Sequence, residues 1–235
     1  MPTIQMKRLI FIISIICGWA SLNAASVNPQ APDTLTVSEA FIHISEQGLD
    51  IIKESVRRDM LDYMRADSIA KLPNIYQGQS WIEEMTPDYM RIHLTDASSL
   101  QLRVLETRNK KLPRIVMSIY TVGAEEDSKD STIRFYDATY TALPEKDYFA
   151  IPKSEDFFIT PSGSGDRDTP DKKELEQDIP FYLITYTVSP SSPAVLEGKL
   201  NLGEYLSEEV QKKYAPYIRP CLRWEWSGKK FNLIK

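Results

Sequence analysis

The two histidines are the side chains of this chain best suited to proton transfer at neutral pH. His43 falls on a short helical segment, and His93 falls on the polar side of an alternating stretch. A serine nucleophile needs a histidine and an acid beside it, and the chain contains no Gly-x-Ser-x-Gly motif. The sequence therefore predicts two surface or boundary histidines rather than a catalytic triad.

Three aspartates come nearest to the spacing of a metal site. Asp166, Asp168 and Asp171 place carboxylates two and three residues apart in a loop, and calcium prefers clustered carboxylate oxygens. Thr169-Pro170, however, stands where an EF-hand would continue towards its glycine and glutamate. Neither H-E-x-x-H nor C-x-x-C occurs. We expect a solvated loop here, with no metal and no cofactor.

Runs of carboxylates could serve hydrolysis of glycans or peptides. Glu83-Glu84 and Glu125-Glu126-Asp127 are candidates by charge alone, because the sequence does not give the separation between carboxyl groups on which this chemistry depends. Ser162-Gly163-Ser164-Gly165 lacks the lysine and the following helix of a phosphate-binding loop. We interpret these runs as solvated turns and assign no catalytic residue.

Aromatic side chains are the more suggestive set. Several recur at alternate positions of predicted strands or stand near them: Trp81, Tyr120, Tyr182, Tyr186, Trp224 and Trp226. Such residues mostly form the core or cross-strand pairs. Any that lies exposed would instead offer a stacking platform for a sugar or a peptide.

Residues 1–24 have the three-part layout of a secretory signal peptide. Lys7 and Arg8 precede the apolar run Leu9–Ile16, and Leu22-Asn23-Ala24 forms an acceptable cleavage site. A retained membrane anchor is the alternative, but the run is shorter than the ~20 apolar residues that a bilayer requires. A lipid anchor at Cys17 is disfavoured because Ile16, rather than a small residue, precedes it. We expect a periplasmic or secreted protein.

Cleavage would leave an acidic protein without disulfides. The signal segment carries two basic residues and no acid, so the net charge of −5 for the whole chain becomes −7 for residues 25–235. This charge disfavours nucleic acid and anionic lipid as partners. Once the signal segment is removed, we expect no stable membrane span. Cys221 would be the one remaining cysteine, interpreted as a small core residue because no histidine lies nearby in the sequence.

The periodicity of apolar residues predicts an α+β fold. After a flexible lead-in (25–35), helical patterns cover Thr36–Ile44 and Leu49–Ala66, and four alternating strands follow between Tyr89 and Phe135. We expect an antiparallel meander packed against N-terminal and C-terminal helices.

Proline and glycine divide this predicted domain. Residues 142–180 hold five prolines and read as an irregular surface excursion. Strands resume from Phe181 to Val188, near Leu196–Leu202, and at 222–226 and 231–233, with a helix over Glu204–Ala215 between them. We predict one α+β domain over residues 36–235. Two pseudo-similar halves, 36–141 and 181–235, stay open as an alternative.

Three segments in order resemble a family of secreted Bacteroidales proteins of unknown function. They are Arg58-Asp59-Met60-Leu61-Asp62-Tyr63-Met64, Glu84-Met85-Thr86-Pro87-Asp88-Tyr89 and Leu94-Thr95-Asp96-Ala97-Ser98-Ser99. The likeness extends through the strands at 115–123 and 130–132 and is looser in the C-terminal half. The resemblance implies an exported α+β protein of the Gram-negative envelope. It implies no reaction and no catalytic residue.

We therefore expect a non-enzymatic binding or assembly module, with the sheet and the 142–180 segment as its recognition surface and an envelope protein or glycan as its partner. One alternative is a carboxylate-based hydrolase of envelope glycans or peptides, with two acids in a cleft about 5–9.5 Å apart. A second alternative is a carrier that holds an apolar ligand between helix and sheet.

Overall fold

A computed structural model describes residues 35–46, 48–108, 113–159, 172–179, 181–202 and 206–234, and residues 31–235 group as one compact unit. The α-helices are α1 (Val37–His43), α2 (Glu54–Arg65), α3 (Lys172–Asp178) and α4 (Glu208–Tyr214). The strands are β1 (Leu72–Pro73), β2 (Gln79–Met85), β3 (Tyr89–Thr95), β4 (Ser98–Leu105), β5 (Ile115–Val122), β6 (Asp130–Tyr136), β7 (Ala142–Leu143), β8 (Leu183–Val188), β9 (Val195–Asn201), β10 (Cys221–Trp226) and β11 (Phe231–Leu233).

The larger sheet is an antiparallel meander in which β1 to β7 lie in chain order. All eight residues of β4 pair with β5, from Ser98 opposite Val122 to Leu105 opposite Ile115. Apolar residues at every second position of β3 to β6 give each strand a buried face, which is why these four strands were predictable from alternation. The predicted meander and the α+β class are confirmed.

Three strands of this sheet escaped the sequence analysis. In β2 the pairing register shifts between Ile82 and Glu84, and this bulge sets two consecutive glutamates into a strand whose alternation is thereby broken. Strands β1 and β7 have two residues each, which is too short for any period to show. The sheet is therefore wider than the four strands expected.

The smaller sheet is also antiparallel, in the order β11-β10-β9-β8. Its strands match the alternating stretches after residue 181. Helices α3 and α4 lie beside it and share a separate apolar cluster around Leu175, Ile179 and Tyr214. The helix predicted over Glu204–Ala215 is observed from Glu208, where Ser207 caps it by accepting a hydrogen bond from the Val210 amide.

Helices α1 and α2 cover one face of the larger sheet. The Thr36 hydroxyl caps α1 by accepting from the Glu39 amide. Met60 and Leu61 are the buried residues of α2. The predicted helix over Leu49–Ala66 divides in two, since Leu49–Ile51 forms a 3₁₀ turn and Ile52 is extended, so that α2 begins at Glu54.

Both faces of the central strands β4 and β5 are buried. Leu100, Leu102 and Val104 belong to the cluster under the helices, whereas the alternate residue Leu105 belongs to the cluster under the smaller sheet. The molecule thus has three layers, namely helices, larger sheet and smaller sheet, with the β4–β5 pair inside.

Side chains of the larger sheet bind the outward edge of β8. The amides of Ile184, Tyr186 and Val188 donate to Asp130 Oδ1, Ser131 Oγ and Gln101 Oε1 at 3.2, 3.0 and 3.2 Å. Gln101 Nε2 donates in return to the Tyr186 carbonyl at 3.3 Å. Because Asp130 and Ser131 lie on β6 and Gln101 lies on β4, β8 crosses the larger sheet from β6 to β4.

The segment 142–180, expected to be an irregular surface excursion, carries short elements and core residues. It contains β7, 3₁₀ turns at Glu145–Asp147 and Ser154–Phe157, and α3. Phe149 and Phe157 are buried in the cluster between the sheets. The composition of this segment predicted a loop because its many prolines exclude long helices and strands. The aromatic side chains between the prolines nevertheless pack into the core. Residues 160–171 and 180 lie outside the described part.

Gly198 in β9 marks a close approach between two aromatic rings. A Cβ atom there would lie 2.9 Å from Tyr186 Cε1 and 3.0 Å from Trp224 Cζ3. We expect Gly198→Ala to lower the free energy of unfolding by about 1–3 kcal/mol, because the buried rings must shift. Urea denaturation measures this change. Thr187→Ala, at an exposed position of the neighbouring β8, is the control and should change stability by less than about 1 kcal/mol.

Candidate functional site

The smaller sheet covers only part of the larger sheet, and β2 and the part of β3 after Tyr89 keep one face open. The side chains on that face are ordered by cross-strand pairing, with Trp81 opposite His93 and Glu84 opposite Arg91. We call this surface the open shelf; it comprises Lys71, Trp81, Glu83, Glu84, Arg91 and His93. The Arg91 and Glu84 side chains are 49% and 40% exposed.

A stack of three side chains occupies one end of the open shelf. The Trp81 and His93 rings lie 3.6 Å apart at an interplanar angle of 13°. The Lys71 Nζ atom lies 4.3 Å from the centre of the Trp81 ring, within cation–π range. Trp81 lies on β2, between β1 and β3. Because Lys71 leads into β1 and His93 lies on β3, the ammonium and the imidazole approach the indole from opposite sides and cover its two faces.

Carboxylates surround the cationic groups of the open shelf. Arg91 Nε lies 2.9 Å from Glu83 Oε2, and Arg91 Nη2 lies 3.5 Å from Glu84 Oε2. His93 Nδ1 lies 4.0 Å from Glu83 Oε1, and His93 Nε2 lies 3.8 Å from Asp96 Oδ1. The shelf is therefore a mixed-charge surface whose side chains hold one another in place.

The turn between β1 and β2 adjoins the open shelf and is fixed by Asn74. We call residues 74–78 the hairpin tip. The buried Asn74 side chain accepts from the amides of Tyr76 and Gly78 and donates to Ser80 Oγ and the Leu94 carbonyl, at 3.0 to 3.1 Å. The tip thereby displays Ile75 and Tyr76, which are 52% and 69% exposed. Large apolar side chains held this far out of the core are candidates for contact with a partner.

A second polar cluster lies inside the molecule, around Glu46. This residue is 2% exposed, and its Oε2 accepts from Ser118 Oγ at 2.5 Å and from the Tyr136 hydroxyl at 2.6 Å. Arg134 Nη1 lies 3.2 Å from Oε1. Burial raises the pKa of Tyr136, and the hydrogen bond to Glu46 raises it further, so the phenol stays a donor. This satisfied network ties the segment after α1 to β5 and β6.

An open pocket of about 310 Å³ lies where α1 begins, next to the end of β4. Val104 and Pro87 form part of its wall, and Asp88, Glu106 and Arg114 supply charge. Each charge has a partner: Asp88 Oδ2 lies 2.8 Å from the buried Arg103, and Glu106 lies 3.0 Å from Arg114. The charged side chains of this pocket therefore neutralise one another.

The remaining candidates from the sequence lie apart from the open shelf. His43 ends α1, stacks on Tyr140 at 5.3 Å and lies 3.4 Å from Glu39. Glu126 and Asp127 lie in the exposed connection between β5 and β6 and contact Lys199 of β9. Among the residues that the structure describes, no group of three or more histidine, cysteine, aspartate or glutamate side chains could hold a metal ion.

Most of the aromatic candidates are core residues. Trp224, Trp226 and Tyr186 are buried under the smaller sheet, with Tyr182 partly buried against them, and Tyr120 packs towards the helices. Trp81, Tyr120 and Tyr182 are half-buried, and Trp81 is the one of these three that lies on the open shelf.

Cys221 keeps a thiol at neutral pH. Burial raises its pKa, and the negative charge of Glu197 raises it further. A protonated thiol is a poor nucleophile, so this cysteine does not bring covalent chemistry to the candidate site.

Several predicted features fall outside the described residues. They are the signal peptide (1–24) with Cys17, most of the lead-in (25–35), the carboxylates Asp166, Asp168 and Asp171, and the Ser162–Gly165 run. None of the helices that the structure describes is long and apolar enough to cross a bilayer.

Sequence reasoning missed the Lys71–Trp81–His93 stack and the hairpin tip. The stack depends on the register between three strands, and the bulge in β2 hid one of them. A turn at the hairpin tip could have been predicted from the sequence, because Asn74 and Gly78 are residue types that favour turns.

Removing the amide of Asn74 should loosen the hairpin tip. We expect Asn74→Ala to lower the free energy of unfolding by about 1–3 kcal/mol, since the buried Leu94 carbonyl and Ser80 hydroxyl lose a donor. Hydrogen exchange of the Tyr76 and Gly78 amides should accelerate most. Unchanged exchange at these two amides would contradict the assigned role of Asn74.

The Glu46 network predicts a purely structural effect. Tyr136→Phe removes one donor to a buried carboxylate and should cost about 1–3 kcal/mol in urea denaturation. Thr132→Ala, at an exposed position of the same strand, is the control and should cost less than about 1 kcal/mol. Equal stability of Tyr136→Phe and the natural protein would contradict this account of the network.

Comparisons with known proteins identify a similar fold and assign no reaction to it. The structure of a domain of an uncharacterized protein from Porphyromonas gingivalis W83 matches with a TM-score of 0.68 at 20% identity, covering 84% of this chain and 97% of that one. At this identity the similarity shows the fold alone. No curated protein matches the chain.

A family model described as "Protein of unknown function (DUF3256)" matches residues 30–231. The match spans both sheets and every described helix. The resemblance to a Bacteroidales family of unknown function is thereby supported, whereas secretion stays a prediction. The chain belongs to the DUF3256 family of proteins of unknown function.

Proposed function

We propose that this protein is a non-enzymatic binding or assembly module of the Gram-negative cell envelope, acting in the periplasm or outside the cell. It would contact an envelope protein or glycan through the open shelf. The observation that carries the proposal is the Lys71–Trp81–His93 stack, which holds a half-exposed tryptophan in place on an uncovered sheet face. Tryptophan is enriched among the residues that contribute most of the binding energy of protein interfaces.

Rigidity of the open shelf supports binding. Its side chains are fixed by stacking and by the ion pairs of Arg91 with Glu83 and Glu84 before any partner arrives. A surface that is already ordered loses little conformational entropy on association. The signal-peptide layout of residues 1–24 favours an envelope location.

The two alternatives have less support. A carboxylate hydrolase needs two acids facing each other across a cleft, whereas Glu83 and Glu84 both contact Arg91 on an open face. A carrier needs an apolar cavity between helix and sheet. Here Phe41, Leu100 and Leu102 are fully buried in the contact between these layers.

The proposal is tested by loss of binding on truncation of the tryptophan. Immobilised protein is incubated with envelope extract, and captured proteins and glycans are quantified by mass spectrometry. We expect Trp81→Ala to lower specific capture roughly tenfold, since an interface tryptophan commonly contributes more than about 1 kcal/mol. Near-ultraviolet circular dichroism should verify that the variant is folded.

Tyr63→Ala is the matched control, because Tyr63 is a 47% exposed aromatic residue on α2, in the helix layer. It should leave capture unchanged. Equal capture by the Trp81→Ala variant and the natural protein would contradict the role of the open shelf. Hydrolysis of an envelope glycan or peptide that one side-chain change abolishes would contradict the non-enzymatic assignment.

A further inference from the structure

We infer that the open shelf and the hairpin tip together bind a basic polypeptide segment of a partner protein rather than a glycan. This inference rests on the proposed function and narrows it to one class of partner. Three observations support it, namely the covered faces of Trp81, the excess of carboxylates, and the exposed aromatic side chain at the tip.

The geometry of Trp81 disfavours a sugar. Stacking of a flat ligand requires a free ring face, yet His93 covers one face at 3.6 Å and the Lys71 ammonium lies over the other at 4.3 Å. A sugar would have to displace a cation from the indole before it could stack. Trp81 thus offers the edge of its ring, which suits contact with the side chains of a peptide.

The charge of the surface favours a basic partner. The carboxylates of Glu83 and Glu84 equal the cations of Lys71 and Arg91 in number, so the excess of negative charge comes from the acids at the border of this surface. Asp96 adds a fully exposed carboxylate at the end of β3. Opposite charge on the approaching segment gives electrostatic complementarity and faster association.

The hairpin tip offers an exposed aromatic side chain with acidic residues near it. The Ile75 amide donates to the Ile51 carbonyl, which brings the exposed Asp50 to one side of the tip. Since β2 and β3 are antiparallel, Asp96, which follows β3, lies at the same end of the sheet as the tip, which precedes β2. A lysine or arginine over the 69% exposed Tyr76 ring would gain a cation–π contact while neighbouring carboxylates balance its charge.

Fluorescence anisotropy with designed peptides tests the inference on the purified protein. The probes are a labelled dodecapeptide that alternates arginine with valine, the same peptide with glutamate for arginine, and a labelled chitooligosaccharide. The basic peptide should bind at least about tenfold more tightly than the acidic one, and its affinity should fall as salt rises from about 0.05 M to about 0.5 M.

Two shelf variants and one control complete the design. Tyr76→Ala and Asp96→Asn should each weaken binding of the basic peptide by about threefold to tenfold. Glu208→Gln removes one exposed carboxylate on α4, away from the open shelf, and should leave binding unchanged. Because Asp96 Oδ1 lies 3.8 Å from His93 Nε2, near-ultraviolet circular dichroism should verify that the Asp96→Asn variant keeps the Trp81–His93 stack.

Failure of the inference differs from failure of the proposed function. Binding of the chitooligosaccharide that Trp81→Ala abolishes would overturn the peptide inference and leave the binding function standing. Absent or equal binding of the two peptides would also overturn it. If Trp81→Ala left capture from envelope extract unchanged, that result would instead contradict the proposed function itself.

Discussion

Burial of β4 and β5 on both faces is the constraint on which the rest of this structure depends. Leu100, Leu102 and Val104 need the helices above them, and Leu105 needs the smaller sheet below. Apolar area removed from water contributes roughly 25 cal/mol per Å², so neither covering layer is dispensable. Strand β2 and most of β3 lie beyond the smaller sheet, which reaches only Tyr89 at the start of β3, and the open shelf is the uncovered remainder of the same face.

The buried polar side chains Glu46, Gln101 and Arg103 are tolerated inside this sandwich because each has a defined partner. Glu46 accepts from Ser118 and Tyr136, and Gln101 bonds two backbone groups of β8. Arg103, at 2% exposure, contacts Asp88 and donates to the Ser191 carbonyl. A buried polar group without a partner would cost several kcal/mol, whereas a satisfied one specifies how layers align. These networks therefore set the position of the smaller sheet, and with it the limit of the open shelf.

Alternation of apolar residues was sufficient to predict β3 to β6 and most of the smaller sheet, because each of these strands buries one continuous face. It failed at β2, where a bulge interrupts the period beside Glu83 and Glu84, and that strand carries Trp81. The candidate site was hidden for the same reason, since Lys71, Trp81 and His93 are distant in sequence and meet through strand register. Aromatic spacing correctly indicated core positions for Trp224 and Trp226. It could not tell that Trp81 lies between two partners.

The sealed edge of β8 has a consequence for how this fold can associate. Its outward amides at Ile184, Tyr186 and Val188 already donate to side chains, so an incoming extended chain finds these donors occupied. Further strands are thereby prevented from pairing with the edge of β8 and extending the smaller sheet into a fibre. An association of this fold at β8 would therefore have to use side chains rather than the backbone of that strand.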